Sequence, residues 1–259
     1  MNESTDQSRY LILGATGSLG SATVAKIVQR DTKACLLLQG RTQVGLDRLC
    51  SELPPQISTT TIVADASEPT EFESAISELV HRDNGTYLTG AVNAIGSLAL
   101  KPISRLSLDE FTTTLDVNLT STFTMIRLAA PMMTRTAGSI VAISSAAAGI
   151  GMASHEAIAA AKAGIEGLVR ASAASLGRSS IRVNAVSPGL FDSNLSSALV
   201  ADPTALKASL ALHTLKRVGQ AADVATVVDF LLGPESTWVT GAVLPVDGGL
   251  RSLHTRPTL

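Results

Sequence analysis

The feature that most constrains this chain is a repeated alternation: short apolar runs of strand length, each followed by a segment of helical periodicity. An apolar run over 10–13 passes through a glycine-rich turn into a predicted helix over 18–29. Further strands are expected over 34–39, 60–64, 91–94, 139–143, 181–187 and 243–246. Helices are expected over 43–53, 71–81, 107–133, 154–176, 203–212 and 221–232, the 107–133 stretch in two parts or bent. Strands that alternate with helices pair in parallel through right-handed crossovers, and the helices must cover both faces of the sheet. The expectation is an α/β fold, doubly wound, with seven strands in one parallel sheet. No linker, repeat or low-complexity segment divides residues 1–259, so one domain is expected, with flexible ends over 1–9 and 251–259.

Composition narrows the partners. Aromatic residues are only 3% and hydrophobic residues 45%, so the core must be built from Ala, Val, Leu and Ile. Such residues suit strands buried on both faces. The net charge of −2 provides no basic field for nucleic acid or an anionic membrane. No apolar run reaches the roughly 20 residues of a membrane span, and residues 1–9 lack the apolar stretch of a secretory leader. Cys35 and Cys50 have neither metal-site spacing nor the number for a disulfide framework, which points to a reduced, cytoplasmic protein.

The first turn, Gly14-Ala15-Thr16-Gly17-Ser18-Leu19-Gly20, lies between the first strand and the first helix. Glycines there allow a backbone to approach a pyrophosphate, and a helix N-terminus offers unpaired N–H groups and partial positive charge. This placement points to a dinucleotide bound in a Rossmann-type fold. The second strand ends in Gln39-Gly40-Arg41-Thr42, with no acid to bind both ribose hydroxyls. The Arg41 guanidinium suits a 2′-phosphate, which favours NADP(H) over NAD(H). Asp65-Ala66 and Asn93-Ala94-Ile95-Gly96 end the third and fourth strands, at the carboxyl edge where ligands of open α/β sheets bind.

In order along the chain, several runs resemble the classical short-chain dehydrogenase/reductase family. They are the glycine loop (with Ser18 where the family has its second glycine), Val92 to Gly96, Leu115-Asp116-Val117-Asn118-Leu119, and Ile143-Ser144-Ser145. Ser187-Pro188-Gly189-Leu190-Phe191-Asp192-Ser193, Arg217-Val218-Gly219-Gln220 and Val246-Asp247-Gly248-Gly249 complete the series. The resemblance implies Asn118, Ser145 and Lys162 as catalytic residues. It implies Pro188, Gly189, Phe191, Ser193 and Lys162 beside the nicotinamide, and a homotetramer or homodimer built through the long helices. It also implies a tyrosine four residues before the lysine and thirteen after the serine. That position holds Ile158. The chain's tyrosines are Tyr10 and Tyr87, both remote in sequence.

The missing hydroxyl matters, because general acid catalysis of this kind contributes roughly 10²- to 10⁴-fold. His155 lies seven residues before Lys162, two helical turns away and so on the same face. It is either a substitute proton donor or a polar residue in a first helical turn, with Ser154 as N-cap. Two functions follow. One is an NADP(H)-dependent oxidoreductase acting on a carbonyl or an activated double bond of a small, partly apolar substrate, with the proton from His155, water or the substrate. The other is an inactive or regulatory NADP(H)-binding protein. Dehydration or isomerisation in the same cleft is a third possibility. The substrate pocket is expected over 191–215.

Overall fold

Strand 1 is apolar because both of its faces are covered: in β1 (Arg9–Leu13) all five residues are buried. Leu11 and Leu13 point into one core cluster, while Tyr10 and Ile12 point into the other. In the computed structural model, which describes residues 7–82 and 87–253, the same arrangement runs across the sheet.

The strands are β1, β2 (Cys35–Gly40), β3 (Ser58–Val63), β4 (Gly90–Asn93), β5 (Ser139–Ile143) and β6 (Arg182–Pro188). A two-residue pair, β7 (Phe191–Asp192) with β8 (Gly219–Gln220), lies outside the main sheet, and β9 (Val243–Val246) closes it. The helices are α1 (Ser18–Arg30), α2 (Gln43–Ser51), α3 (Pro69–His81), α4 (Leu108–Leu115), α5 (Ser121–Ala129) and α6 (Glu156–Leu176). They continue with α7 (Ser197–Ala201), α8 (Pro203–Leu212) and α9 (Ala221–Leu232).

The seven-stranded sheet has the order β3-β2-β1-β4-β5-β6-β9, and every pairing is parallel. Helices α3, α5 and α6 cover one face, and α1, α2 and α9 cover the other. The order reverses between β1 and β4, so their carboxyl ends diverge and leave a crevice. This is the doubly wound, Rossmann-type sheet expected from the alternation.

The segment expected to bend over 107–133 does so for a visible reason. After α4, residues Asp116–Thr120 form a π-helical turn before α5, and a short 3-10 turn (Ala130–Met133) ends it. A π-turn within a helix widens the backbone locally and re-aims a side chain. Here the re-aimed residue is Asn118, which is fully buried.

Three local expectations are corrected. The sixth helix begins at Glu156, its N-cap is His155, and Ser154 has φ +63° and caps nothing. Arg9, expected in a flexible end, is a buried residue of β1. Arg251, expected in the other, forms a two-pronged ion pair with Glu166 of α6 at 2.8 and 3.2 Å. Residues 1–6 and 254–259 of the expected flexible ends lie outside the described residues, as do 83–86.

Candidate active site in the crevice between β1 and β4

The glycine loop is shaped by contacts that a side chain would destroy. Gly14 has φ +72°, and a Cβ there would lie 2.9 Å from the Ile95 nitrogen. A Cβ on Gly20 would lie 2.1 Å from the Gly14 carbonyl oxygen. Gly14 therefore packs the loop against the exit of β4, and Gly20 packs α1 against the loop. The Gly17 N–H donates to Gly14 O at 3.0 Å, and α1 starts at Ser18 with no side-chain cap. Its first-turn N–H groups face the crevice, as an anion site requires.

Gln39 holds the loop from beside. Its Oε1 accepts from Gly14 N–H at 2.8 Å and its Nε2 donates to Ala64 O at 2.7 Å, so one buried amide spans the ends of β1, β2 and β3. The sequence reading passed over Gln39; a polar residue ending an otherwise apolar strand was the available signal.

A cleft of about 660 Å³ runs from this loop across the carboxyl edge of the sheet. Gly14, Thr16, Gly17, Ser18, Leu19, Arg41, Asp65, Ala66, Ala94 and Gly96 line one end of the predicted set. Asn118, Ser145, Lys162, His155, Pro188, Gly189, Phe191 and Ser193 line the other. Three predicted residues are placed elsewhere. Thr42 caps α2, its hydroxyl accepting from Gly45 N–H at 3.2 Å. Gly20 serves packing. Asn93 is buried beneath the crevice, where its amide donates to the hydroxyls of Ser121 and Thr122 and accepts from Ile95 N–H.

At the adenosine end expected from the sequence, Arg41 is exposed and makes no ion pair among the described residues. The Asp65 carboxyl is held below its ordinary range, chiefly by the Ser67 backbone N–H, with the Ser67 hydroxyl and the Arg41 charge acting in the same direction.

At the other end, Asn118 Nδ2 donates to Ser97 Oγ and Thr114 O, both at 2.9 Å, and Oδ1 accepts from Ser97 N–H at 3.4 Å. Ser145 follows β5, and its hydroxyl accepts from Ala147 N–H at 3.2 Å. Lys162 reaches from α6 to Ile143 O, where its ammonium donates at 2.8 Å. One turn earlier on the same helix, Ile158 is buried and lines the cleft. His155 also lines it; its Nδ1 donates to Ala153 O at 2.8 Å, which leaves Nε2 as the free nitrogen. Neither tyrosine is in this cleft. Tyr10 lies in β1, its hydroxyl bonded by Arg30, and Tyr87 is bonded by Arg135.

A family profile described as Enoyl-(Acyl carrier protein) reductase matches residues 14–251. The chain is 32% identical over 257 residues to the short-chain dehydrogenase/reductase aba4 of Botryotinia fuckeliana, covering 93% of this chain and 95% of the relative. It is 31% identical over 243 residues to the 3-oxoacyl-(acyl-carrier-protein) reductase FabG of Pseudomonas aeruginosa, covering 93% and 96%. The chain belongs to the short-chain dehydrogenase/reductase family. A solved short-chain type dehydrogenase/reductase from Mycobacterium ulcerans superposes with a TM-score of 0.86 at 28% identity, over 95% of this chain and 90% of that one.

Within this short-chain dehydrogenase/reductase fold, the cleft holds a second histidine that the sequence reading missed. His213 follows α8 and is buried. Its Nδ1 donates to Ser209 O at 2.7 Å, and its Nε2 accepts from Leu190 N–H at 3.1 Å. Both ring nitrogens are thus engaged by backbone, in the neutral form with the proton on Nδ1. The residue ties the end of α8 to the turn after Pro188 and Gly189 through these two bonds. Nothing in the run Leu212-His213-Thr214 marks it before the fold is known.

Burial pulls the Lys162 amine down from 10.5 to about 7 by penalising its charged form. The unfolded chain then binds a proton that the fold does not, between about 7 and 10.5. Stability from this group therefore rises with pH through that window and is lowest below it. The thermal midpoint of the ligand-free wild type relative to Lys162→Met is expected to climb between pH 6.5 and 9.5. A difference that stays flat across this range would contradict a buried, discharging lysine.

Proposed function

We propose that this chain is an NADP(H)-dependent oxidoreductase that transfers hydride to or from a carbonyl or activated double bond of a small, partly apolar substrate. The observation that carries this reading is the joining of the glycine-shaped loop and Arg41 to Ser145, Lys162 and Asn118 in one continuous cleft. The residues present fit a dinucleotide. The positive φ and the close approach at Gly14 make a cradle that a Cβ would fill, α1 presents unpaired N–H groups, and Arg41 offers an unpaired guanidinium for a 2′-phosphate.

In this reading Gly14, Thr16, Gly17, Ser18 and Leu19 hold the pyrophosphate side, and Arg41, Asp65 and Ala66 the adenosine. Ala94, Gly96, Lys162 and the turn through Pro188, Gly189, Phe191 and Ser193 hold the nicotinamide ribose and ring. When bound, NADP(H) supplies the hydride. Ser145 donates a hydrogen bond to the substrate oxygen on which charge develops. Asn118 fixes the ends of the surrounding turns. Ile158 turns an apolar surface towards the substrate and moves no proton.

The acid must come from elsewhere. His155 can serve through Nε2 only when its ring carries a second proton, because Nδ1 is committed to Ala153 O. Otherwise the proton comes from water or the substrate. A substrate that spreads its charge over a conjugated system needs the proton least at the moment of transfer. Ile95, Leu98, Met152, Leu195 and Leu199, which line the cleft near these groups, support a partly apolar partner.

Ile158 also favours a second reading, an NADP(H)-binding protein that does not turn over. Titration of the purified protein with NADPH and NADH, followed by nucleotide fluorescence, separates these readings from a decayed cleft. Binding of NADPH tighter than NADH by tenfold or more is expected. Absence of binding by both nucleotides removes both readings.

Where turnover of ketones or enones is found, His155→Ala is expected to lower it by tenfold or more with the NADPH affinity unchanged. Unaltered turnover would eliminate His155 as the acid. Ile158→Tyr is expected to raise carbonyl reduction by roughly the 10²-fold that an acid contributes.

We also propose a cytoplasmic homotetramer or homodimer. The Ala-rich helix α6 allows close helix packing, and Phe123 and Trp238 are left exposed on the single chain. Light scattering is expected to give a mass that is two or four times 26.7 kDa; a monomeric mass would contradict it.

A further inference from the structure

The residue that departs from the family's glycine pattern makes a contact of its own. Ser18 Oγ accepts from the backbone N–H of Asn194 at 3.2 Å, across 176 residues of sequence. Asn194 belongs to residues 193–195, all three of which line the cleft. On the far side Leu195 sits over Gly96, its Cδ2 at 3.8 Å from where a Cβ would stand. The same strap therefore touches the loop after β1 at one end and the loop after β4 at the other.

The direction of the Asn194 N–H is set by a compact knot behind it. The buried Ser196 hydroxyl donates to Phe191 O at 2.6 Å, accepts from Ser193 N–H at 3.1 Å and lies 2.9 Å from the Ser193 hydroxyl. Ser196 N–H in turn donates to Ser193 at both its carbonyl (3.1 Å) and its hydroxyl (3.2 Å). The knot fixes the turn, the turn fixes the amide, and the amide meets Ser18. A glycine at position 18 has no oxygen with which to meet it.

We propose that Ser18 is a positioning residue that latches the glycine loop to the lid, so that a dinucleotide held by the loop leaves only when residues 193–195 lift. This rests on the cofactor reading above. Ser18 lines the cleft on the side of the glycine loop and touches the strap, and one hydroxyl makes exchange of the nucleotide and opening of the substrate side a single event. Loss of one such hydrogen bond corresponds to a change of about fivefold.

The test uses amide hydrogen exchange of the full chain, read on peptides covering residues 193–199, together with stopped-flow release of NADPH. Ser18→Ala is expected to speed exchange in the ligand-free protein and to raise the NADPH release rate, each by about fivefold. Ser18→Thr, which keeps the hydroxyl, is expected to restore both. Exchange unchanged in Ser18→Ala overturns the latch, as does equal acceleration in the alanine and threonine variants. Faster exchange with unchanged NADPH release overturns the coupling. A wild type that binds no NADPH overturns the cofactor reading and the coupling together, while the exchange data still decide whether the latch itself exists.

Discussion

The close approach of Gly14 to the exit of β4 is the contact on which the rest of the site depends. A backbone at φ +72° within reach of Ala94 and Ile95 leaves no space for a side chain. This approach lets β1 and β4 lie side by side while their connections depart to opposite faces of the sheet. The crevice exists because of that divergence, and α1 can point its N-terminus into it because Gly20 lets the helix sit on the loop. Gln39 then satisfies Gly14 N–H and Ala64 O with one amide, so these two backbone groups of the turn are paired.

The end of the cleft lined by Asn118, Ser145 and Lys162 depends on a second packing choice. The π-turn at Asp116–Thr120 drives Asn118 inward, and its amide is spent on Ser97 and Thr114. Behind Lys162, Ser144 donates to Glu166, which Arg251 clamps from the C-terminal segment. Burying a carboxylate is costly unless it is paired. The Arg251 pair therefore fastens the segment after β9, including the cleft residue Leu250, to the helix that carries Ile158 and Lys162.

Much of this was legible in the chain because it is written in periodicity and in glycine placement. Strand and helix alternation specifies a parallel sheet, and Gly14 to Gly20 after an apolar run marks its switch point. Two of the illegible parts share one physical character: a polar side chain whose partner is distant backbone. Gln39 bonds Gly14 N–H and Ala64 O, and His213 bonds Leu190 N–H, groups brought near only by folding. Thr42 and Asn93, expected in the cleft, were drawn into a helix cap and a buried network by the same competition for partners. The start of α6 was misjudged because Ser154 is the commoner cap type, whereas its positive φ directs it away from the helix end.

Ile158 separates two demands that one residue meets in the family the chain resembles: filling the wall between Ser145 and Lys162, and delivering a proton. The isoleucine fills the wall and buries well. It also removes the phenol that would stand beside the lysine, so among the described residues the Lys162 amine has Ile143 O as its one hydrogen-bond partner. An ammonium in that position is destabilised, and the cleft loses a fixed dipole at the point where an alkoxide would form. In the proposed reaction, an acceptor that keeps its new charge local would meet the apolar wall and be disfavoured. One that delocalises charge towards the Ser145 hydroxyl, or towards Nε2 of His155 when the ring carries a second proton, would meet hydrogen-bond donors. In the proposed reaction the substitution would thus select by electrostatics rather than by shape.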